Sequence, residues 1–237
     1  MDTPRELLDQ QTYQVNEAAR LLGLPDKTLR RWLDGDRRFD QVIEPLIRDV
    51  PTGSWDVTWG EFVEAGFLSG YRYNQLPMER LRPLMRDLRV RLQTKYPLAE
   101  AHPLYSDGRE LLWQEQSRHD LHEELLLVVR GREDQGYQLV LSEVSQAFVN
   151  RVEFEPDAKG VAARWFPLGR KNRRIRMDPQ ITFGLPAING VRTESIVELA
   201  DAGETVGAIR EVYGSLGLTR DDIDTAIAFE HHLRIAA

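Results

Sequence analysis

Lys27, Arg30 and Arg31 share one side of a short segment whose other side is Leu29, Trp32 and Leu33. Apolar residues at this three-to-four spacing bury one face of a helix and leave the basic face free. Ammonium and guanidinium groups on a free helical face suit phosphate oxygens and guanine edges. Thr28 lies in the same turn, and Arg20 on the preceding segment has the reach of a backbone contact. Basic residues on a helix are also commonly just solvated, so spacing alone leaves both readings open. A second basic zone, residues 164–177, holds Arg164, Arg170, Lys171, Arg173, Arg174 and Arg176 and no acid. Such a zone suits carboxylates of an acidic partner through bidentate arginine pairs. DNA-backbone binding and a merely solubilised linker are the alternatives. Arg192 is a further candidate for an acidic partner, with a structural role in its own loop as the alternative.

Groups suited to catalysis are sparse. The chain has no cysteine, which excludes thiol nucleophiles, disulfides and Cys-ligated metal sites. His119 and His122 are three apart beside Glu123 and Glu124, but no third ligand follows at a defined spacing. His231 and His232 are adjacent and point to different sides of a helix. Glu153 and Glu155 read as strand-surface carboxylates, and no glycine-rich phosphate cradle or nucleophile elbow is present. No catalytic residue, metal or cofactor is expected, and the chain reads as a binder, not an enzyme.

The elements that carry these residues follow from periodicity and punctuation. Asn16 is the expected N-cap of a first helix with Ala18, Ala19, Leu21 and Leu22 on its apolar stripe, ended by a left-handed Gly23. Leu24, Pro25 and Asp26 restart the chain into the Lys27–Asp34 helix. Residues 36–58 read as strands and turns, with Val42-Ile43 and Trp55-Asp56-Val57 around a hairpin. Thr58 and Glu61 form a capping box for a helix to Arg72. A further helix runs from about Met78 to Lys95, with Leu81, Leu84, Leu88 and Leu92 as either core or a dimer seam.

After Pro97 the pattern becomes extended: an Asp107-Gly108 turn with Glu110–Trp113, then Glu124–Arg130, Tyr137–Leu141, Val149–Glu155 and Val161–Phe166. Helical period returns in Glu194–Ala202, Thr205–Tyr213 and Arg220–Leu233. The order is α, β, α, hence α+β. Three regions are expected: a DNA-binding head over 1–96, a β-rich middle over 97–172 and a helical unit over 173–237. Charge divides similarly, with 15 basic and 15 acidic groups in 1–96, 6 and 13 in 97–163, and 4 and 10 in 178–237. The net charge of −7 is therefore not spread evenly. No apolar run approaches the roughly 18 residues of a membrane span. The polar, acidic Met1–Gln11 does not read as a signal peptide, so a cytoplasmic protein is expected.

Val15, Glu17, Ala19, Gly23, Leu24, Thr28, Leu29, Arg30, Arg31 and Trp32 resemble the start of a MerR-like winged helix-turn-helix domain. The resemblance runs through a wing-like Pro45–Val57 and a second helix pair, over about residues 12–93. It implies that Arg20, Lys27, Thr28, Arg30 and Arg31 meet operator DNA, as a dimer. The metal-sensing cysteines and long coiled coil of many MerR-like proteins are absent. A second motif, Asp178, Pro179, Phe183, Gly184, Pro186, Ile188, Gly190 and Arg192, is similar to a small domain found in bacterial antitoxins, followed by a trihelical unit. The chain departs from it at Thr193-Glu194-Ser195, where members continue Ile-Pro. Together the resemblances imply a VapB-type antitoxin of a type II toxin–antitoxin system, which represses its own operator and neutralises a PIN-domain (VapC-type) ribonuclease. Arg170, Arg173, Arg174, Arg176 and Arg192 are then the candidate toxin contacts. The alternative is a MerR-like regulator with a small-molecule-binding middle and no toxin.

Overall fold

The computed structural model describes residues 4–38, 41–73, 81–100, 148, 150–155 and 160–236. Helix α1 (Pro4–Asp9) leads into β1 (Gln11–Gln14), α2 (Val15–Leu22) and α3 (Asp26–Asp34). Strands β2 (Asp36–Arg38) and β3 (Gln41–Ile43) pair as an antiparallel hairpin. β4 (Asp56–Thr58) precedes α4 (Trp59–Tyr73) and α5 (Leu81–Leu92). β5 (Val152–Glu155) pairs antiparallel with β6 (Val161–Trp165), and β7 (Ala187–Ile188) with β8 (Val191–Arg192). Helices α6 (Thr193–Asp201), α7 (Val206–Val212) and α8 (Arg220–Ala236) close the chain. Helices and small antiparallel pairs make an α+β fold. No described helix is long and apolar enough to cross a membrane.

Three expectations change. Gln14, not Asn16, occupies the N-cap of α2 and makes no side-chain cap bond. The chain enters α2 directly from β1, and the Val15 amide bonds to the Trp55 carbonyl at 2.9 Å, so an amide a cap would serve is already satisfied. The strand around Val57 pairs with β1, not with the Val42 hairpin: Tyr13 opposes Val57 and Gln14 opposes Asp56. Both Tyr13 and Val57 are buried, so this pairing closes the core. Leu81, Leu84 and Leu88 are each no more than 1% exposed, and Leu92 packs on the same core half-buried. That stripe is spent inside one chain and is not an exposed dimer seam.

The capping box expected before α4 is present. Thr58 and Glu61 bond reciprocally, amide to carboxylate at 2.9 Å and amide to hydroxyl at 3.2 Å. Thr205 caps α7 by accepting from the Ala208 amide, and Thr219 with Asp222 forms the equivalent box before α8. β5 and β6 are shorter versions of the expected Val149–Glu155 and Val161–Phe166 strands. The Asp107-Gly108 turn, the strands at 110–113, 124–130 and 137–141, and His119 and His122 lie outside the described residues.

Residues from all three expected regions contribute to one buried cluster, running from Leu7 to Leu233. Trp59 and Phe62 of α4 stack at 5.5 Å, Phe62 meets Trp165 edge-on at 5.5 Å, and the Trp59 indole donates to the Ala162 carbonyl at 2.7 Å. The head therefore shares its core with β5 and β6. Single-residue bridges, Trp165 to Met177 and Arg176 to Ala187, carry the sheet contacts on to β7 and β8.

Candidate nucleic-acid interface and its supports

The turn between α2 and α3 is Gly23-Leu24-Pro25. Gly23 has φ +64°, where only glycine is free of steric cost, and the Leu24 amide returns to the Ala19 carbonyl at 2.9 Å. Pro25 then sets the entry of α3, whose inner face is Thr28, Leu29, Trp32 and Leu33. Thr28 is 7% exposed, so its side chain supports the helix from within. Lys27 and Arg30 are exposed and Arg31 is half-buried. The Arg30 guanidinium lies 3.6 Å over the ring of Trp55, itself 53% exposed. Stacking of this kind restrains a long cation in one place while leaving its N–H groups outward. Trp55 was legible only as a strand residue. It comes from the loop after Arg48, whereas Arg30 belongs to α3, and no spacing rule joins residue 30 to residue 55.

That loop is built on two buried arginines which sequence reasoning passed over. Arg48 donates to Glu61 at 2.7 Å, Asp34 at 2.8 Å and the Asp56 carbonyl at 2.7 Å. Arg89 donates to the Leu46 carbonyl at 2.9 Å and also to that of Ile47. Burial opposes ionisation of Asp34, but the Thr52 amide and the Arg48 guanidinium hold its carboxyl below the usual range. Arg48 thus clamps the C-terminal end of α3 to the loop that delivers Trp55.

Arg20 faces the other way. Its Nη1 lies 3.1 Å from Oε2 of Glu230, a residue only 3% exposed on α8. The other Glu230 oxygen accepts from the Thr193 hydroxyl at 2.5 Å. Nearby, burial first, and then the charges of Glu194 and Glu230, push the Glu17 carboxyl up, while Arg20 and Arg192 oppose them. The C-terminal unit therefore buttresses α2 through an ion pair, and this is where Arg20 is held.

The C-terminal motif also docks on the head. Thr182, Phe183 and Gly184 take φ of +51°, +53° and +77° in succession. The Gly184 carbonyl accepts the Tyr13 hydroxyl at 2.7 Å, and Phe183 is left 76% exposed. Pro186 is buried and its carbonyl accepts the Thr193 amide at 2.9 Å, joining the motif to α6. Asn189 and Gly190, at φ +50° and +82°, make the tight turn from β7 to β8. Buried Asp178 accepts from Arg164 Nε at 2.9 Å and from the Gln180 amide at 3.0 Å. Arg192 pairs with Glu194 at 2.5 Å.

The basic zone does not form one surface. Arg164 is bound to Glu153 and Asp178, both at 2.9 Å, and Arg173 pairs with Glu153 over the Phe166 ring at 4.5 Å. Arg174 pairs with Asp222 at 3.2 Å and Asp221 at 3.5 Å. Arg173, Arg174 and Arg176 converge on one crevice, while Arg170 and Arg192 do not line it.

Residues 175–229 match the family described as "Protein of unknown function (DUF433)". The chain is 29% identical over 226 residues to a Mycobacterium tuberculosis protein named "Putative antitoxin VapB45", covering 91% of this chain and 92% of that protein. It is 28% identical over 233 residues to "Uncharacterized protein Rv2308" of the same organism, covering 97% and 94%. Its fold resembles the crystal structure of Rv2018 from Mycobacterium tuberculosis, with a TM-score of 0.68 and 27% identity over 93% of this chain and 99% of that one. The likeness to mycobacterial proteins, one of which bears an antitoxin name, thus extends through the head, the strands and the C-terminal motif alike.

Proposed function

We propose that this chain is an antitoxin that acts by binding and not by catalysis: a MerR-like head reads operator DNA, and the remainder silences a PIN-domain ribonuclease in the cytoplasm. The observation that carries the DNA half is the outward basic face of α3, with Arg30 restrained on Trp55. The toxin half is supported by near full-length similarity to a protein with an antitoxin name. In this reading α2, the three-residue turn and α3 act as a helix-turn-helix, and the clamped loop around Arg48 acts beside it as a wing. Lys27, Arg30 and Arg31 face the groove. Arg20, engaged by Glu230, positions α2 from behind. Two copies on a two-fold operator would place their α3 helices about 34–36 Å apart.

Changing Lys27, Arg30 and Arg31 together to Ala should abolish specific operator binding in a gel-shift or fluorescence titration. Singly, a residue reading a base edge should cost about 1–3 kcal/mol and relax preference at one base. A residue touching only phosphate should weaken all sequences alike and reduce the salt slope by about 1. Retained wild-type affinity for its own promoter in the triple variant would falsify the assignment. Ribonuclease assays of a co-expressed PIN-domain protein test the other half: addition of this chain should suppress cleavage.

A further inference from the structure

We infer that the crevice between the β5–β6 hairpin and the β7–β8 turn is a receptor for a single carboxylate from a partner protein. This rests on the antitoxin reading for the partner's identity, but not for the chemistry of the site. The crevice encloses about 330 Å³ and is lined by Arg164, Arg173, Arg174 and Arg176, by one carboxylate, Glu153, that two of them already pair, and by the Asn189-Gly190 turn. Three of the arginines are preset by the chain's own groups: Arg164 by Glu153 and Asp178, Arg173 by Glu153 and the Phe166 ring, Arg174 by Asp221 and Asp222. Arg176 is half-buried and has no side-chain partner among the described residues, although its backbone is fixed on both sides by Ala187 at 2.9 and 3.0 Å. A guanidinium carries five N–H groups in a rigid fork. The preset arginines spend only part of theirs, and the Arg176 side chain spends none on the described residues.

This arrangement differs from a free basic tail. Arginines tied to Glu153, Asp178 and Asp222 would have to break these pairs to enter a partner's site, whereas an acidic side chain that comes to them leaves the pairs in place. The neighbouring charges choose the kind of anion. Asp221, 75% exposed, lies 3.5 Å from Arg174, and Glu155, 43% exposed, lies 3.9 Å from Arg164. A nucleic-acid duplex presents a charge for about every 1.7 Å of its axis, and that row would face these carboxylates. One inserted carboxylate needs only Arg176, whose side chain has no partner among the described residues, and does not run along those acids. The crevice also sits at the Asp222 end of α8, eight residues and thus roughly 12 Å from the Glu230 end that supports α2.

The test has two arms on the full chain. In the first, Arg176→Glu and Arg176→Gln are compared with Arg170→Glu and Lys171→Glu for affinity toward the co-encoded PIN-domain ribonuclease and toward operator DNA. The Arg176 variants should lose roughly tenfold or more in ribonuclease affinity and keep operator affinity, which also verifies their folding. The Arg170 and Lys171 variants should bind as wild type does. Ribonuclease binding insensitive to both Arg176 variants overturns the site while the antitoxin reading stands. The second arm needs no ribonuclease: arginine Nε–H and backbone amide resonances are followed during titration with N-acetyl-glutamate amide, and separately with inorganic phosphate. Saturable shifts confined to Arg173, Arg174, Arg176 and the Asn189-Gly190 turn are expected with the capped glutamate. If they appear although no ribonuclease binds, the site stands and the antitoxin reading fails. No saturable response, or a response to phosphate alone, overturns the carboxylate site.

Discussion

Gly184→Ala is expected to destabilise the protein by about 2–5 kcal/mol, a large fraction of a typical folding free energy. Its φ of +77° costs an L-residue about 1–2 kcal/mol. The added methyl would stand 2.4 Å from Thr12 Cγ2 and 2.8 Å from the Tyr13 hydroxyl, contacts that force movement in a packed core and cost about 1–3 kcal/mol. That movement also pulls the Gly184 carbonyl from the buried Tyr13 hydroxyl it satisfies. Gly190→Ala is the control: φ is +82°, but nothing lies within 4 Å of its added carbon. Chemical denaturation of the two variants separates backbone cost from packing cost. Equal losses would show that the motif does not press on β1 as described. Because β1 feeds directly into α2, Gly184→Ala should also weaken operator binding in the proposed reading, without removing any group that meets DNA.

What could be read in the sequence follows the range of the interactions involved. Gly23 and the Thr58–Glu61 box act within a few residues of themselves, so their chemistry is printed locally. The basic face of α3 is legible for the same reason, because Leu29, Trp32 and Leu33 declare which side is buried. Arg48, Arg89 and Arg20 are different. As residue types they look like solvated surface groups, and only tertiary partners turn them into a clamp, a loop anchor and a buttress. The Leu81–Leu92 stripe shows the complementary failure: a regular apolar face announces burial but not what covers it, and here the chain covers it itself. The strand at Val57 departs from its expected partner because adjacency in sequence favours a local hairpin, whereas Tyr13 supplies the apolar match from more than forty residues away.

Glu64 is the second place where a single side chain should have a large, measurable effect, this time through pH. It sits on the inner face of α4 with none of its side chain exposed. One oxygen accepts the Leu98 amide at 2.7 Å; the other lies 3.7 Å from Arg89 Nη2 and has no hydrogen-bond partner. Burial pushes its carboxyl from 4.5 up to about 7, with Arg89 and the Leu98 and Ala99 amides pulling down and Glu100 adding to the rise. The folded state therefore holds a proton that the unfolded chain releases near 4.5. Stability from this group is fully present below that value and is lost as pH rises through about 7. At about 1.36 kcal/mol per pH unit, the loss amounts to about 3 kcal/mol. Glu64→Gln keeps an acceptor for Leu98 and carries no charge to bury. Arg89 retains the Leu46 and Lys95 carbonyls and is not orphaned. Denaturation midpoints measured from about pH 5 to pH 8 should fall for the wild type by more than for Glu64→Gln, and the variant should be the more stable protein at the alkaline end. Parallel pH profiles for the two proteins would mean that Glu64 is ionised throughout and that Arg89 compensates its burial.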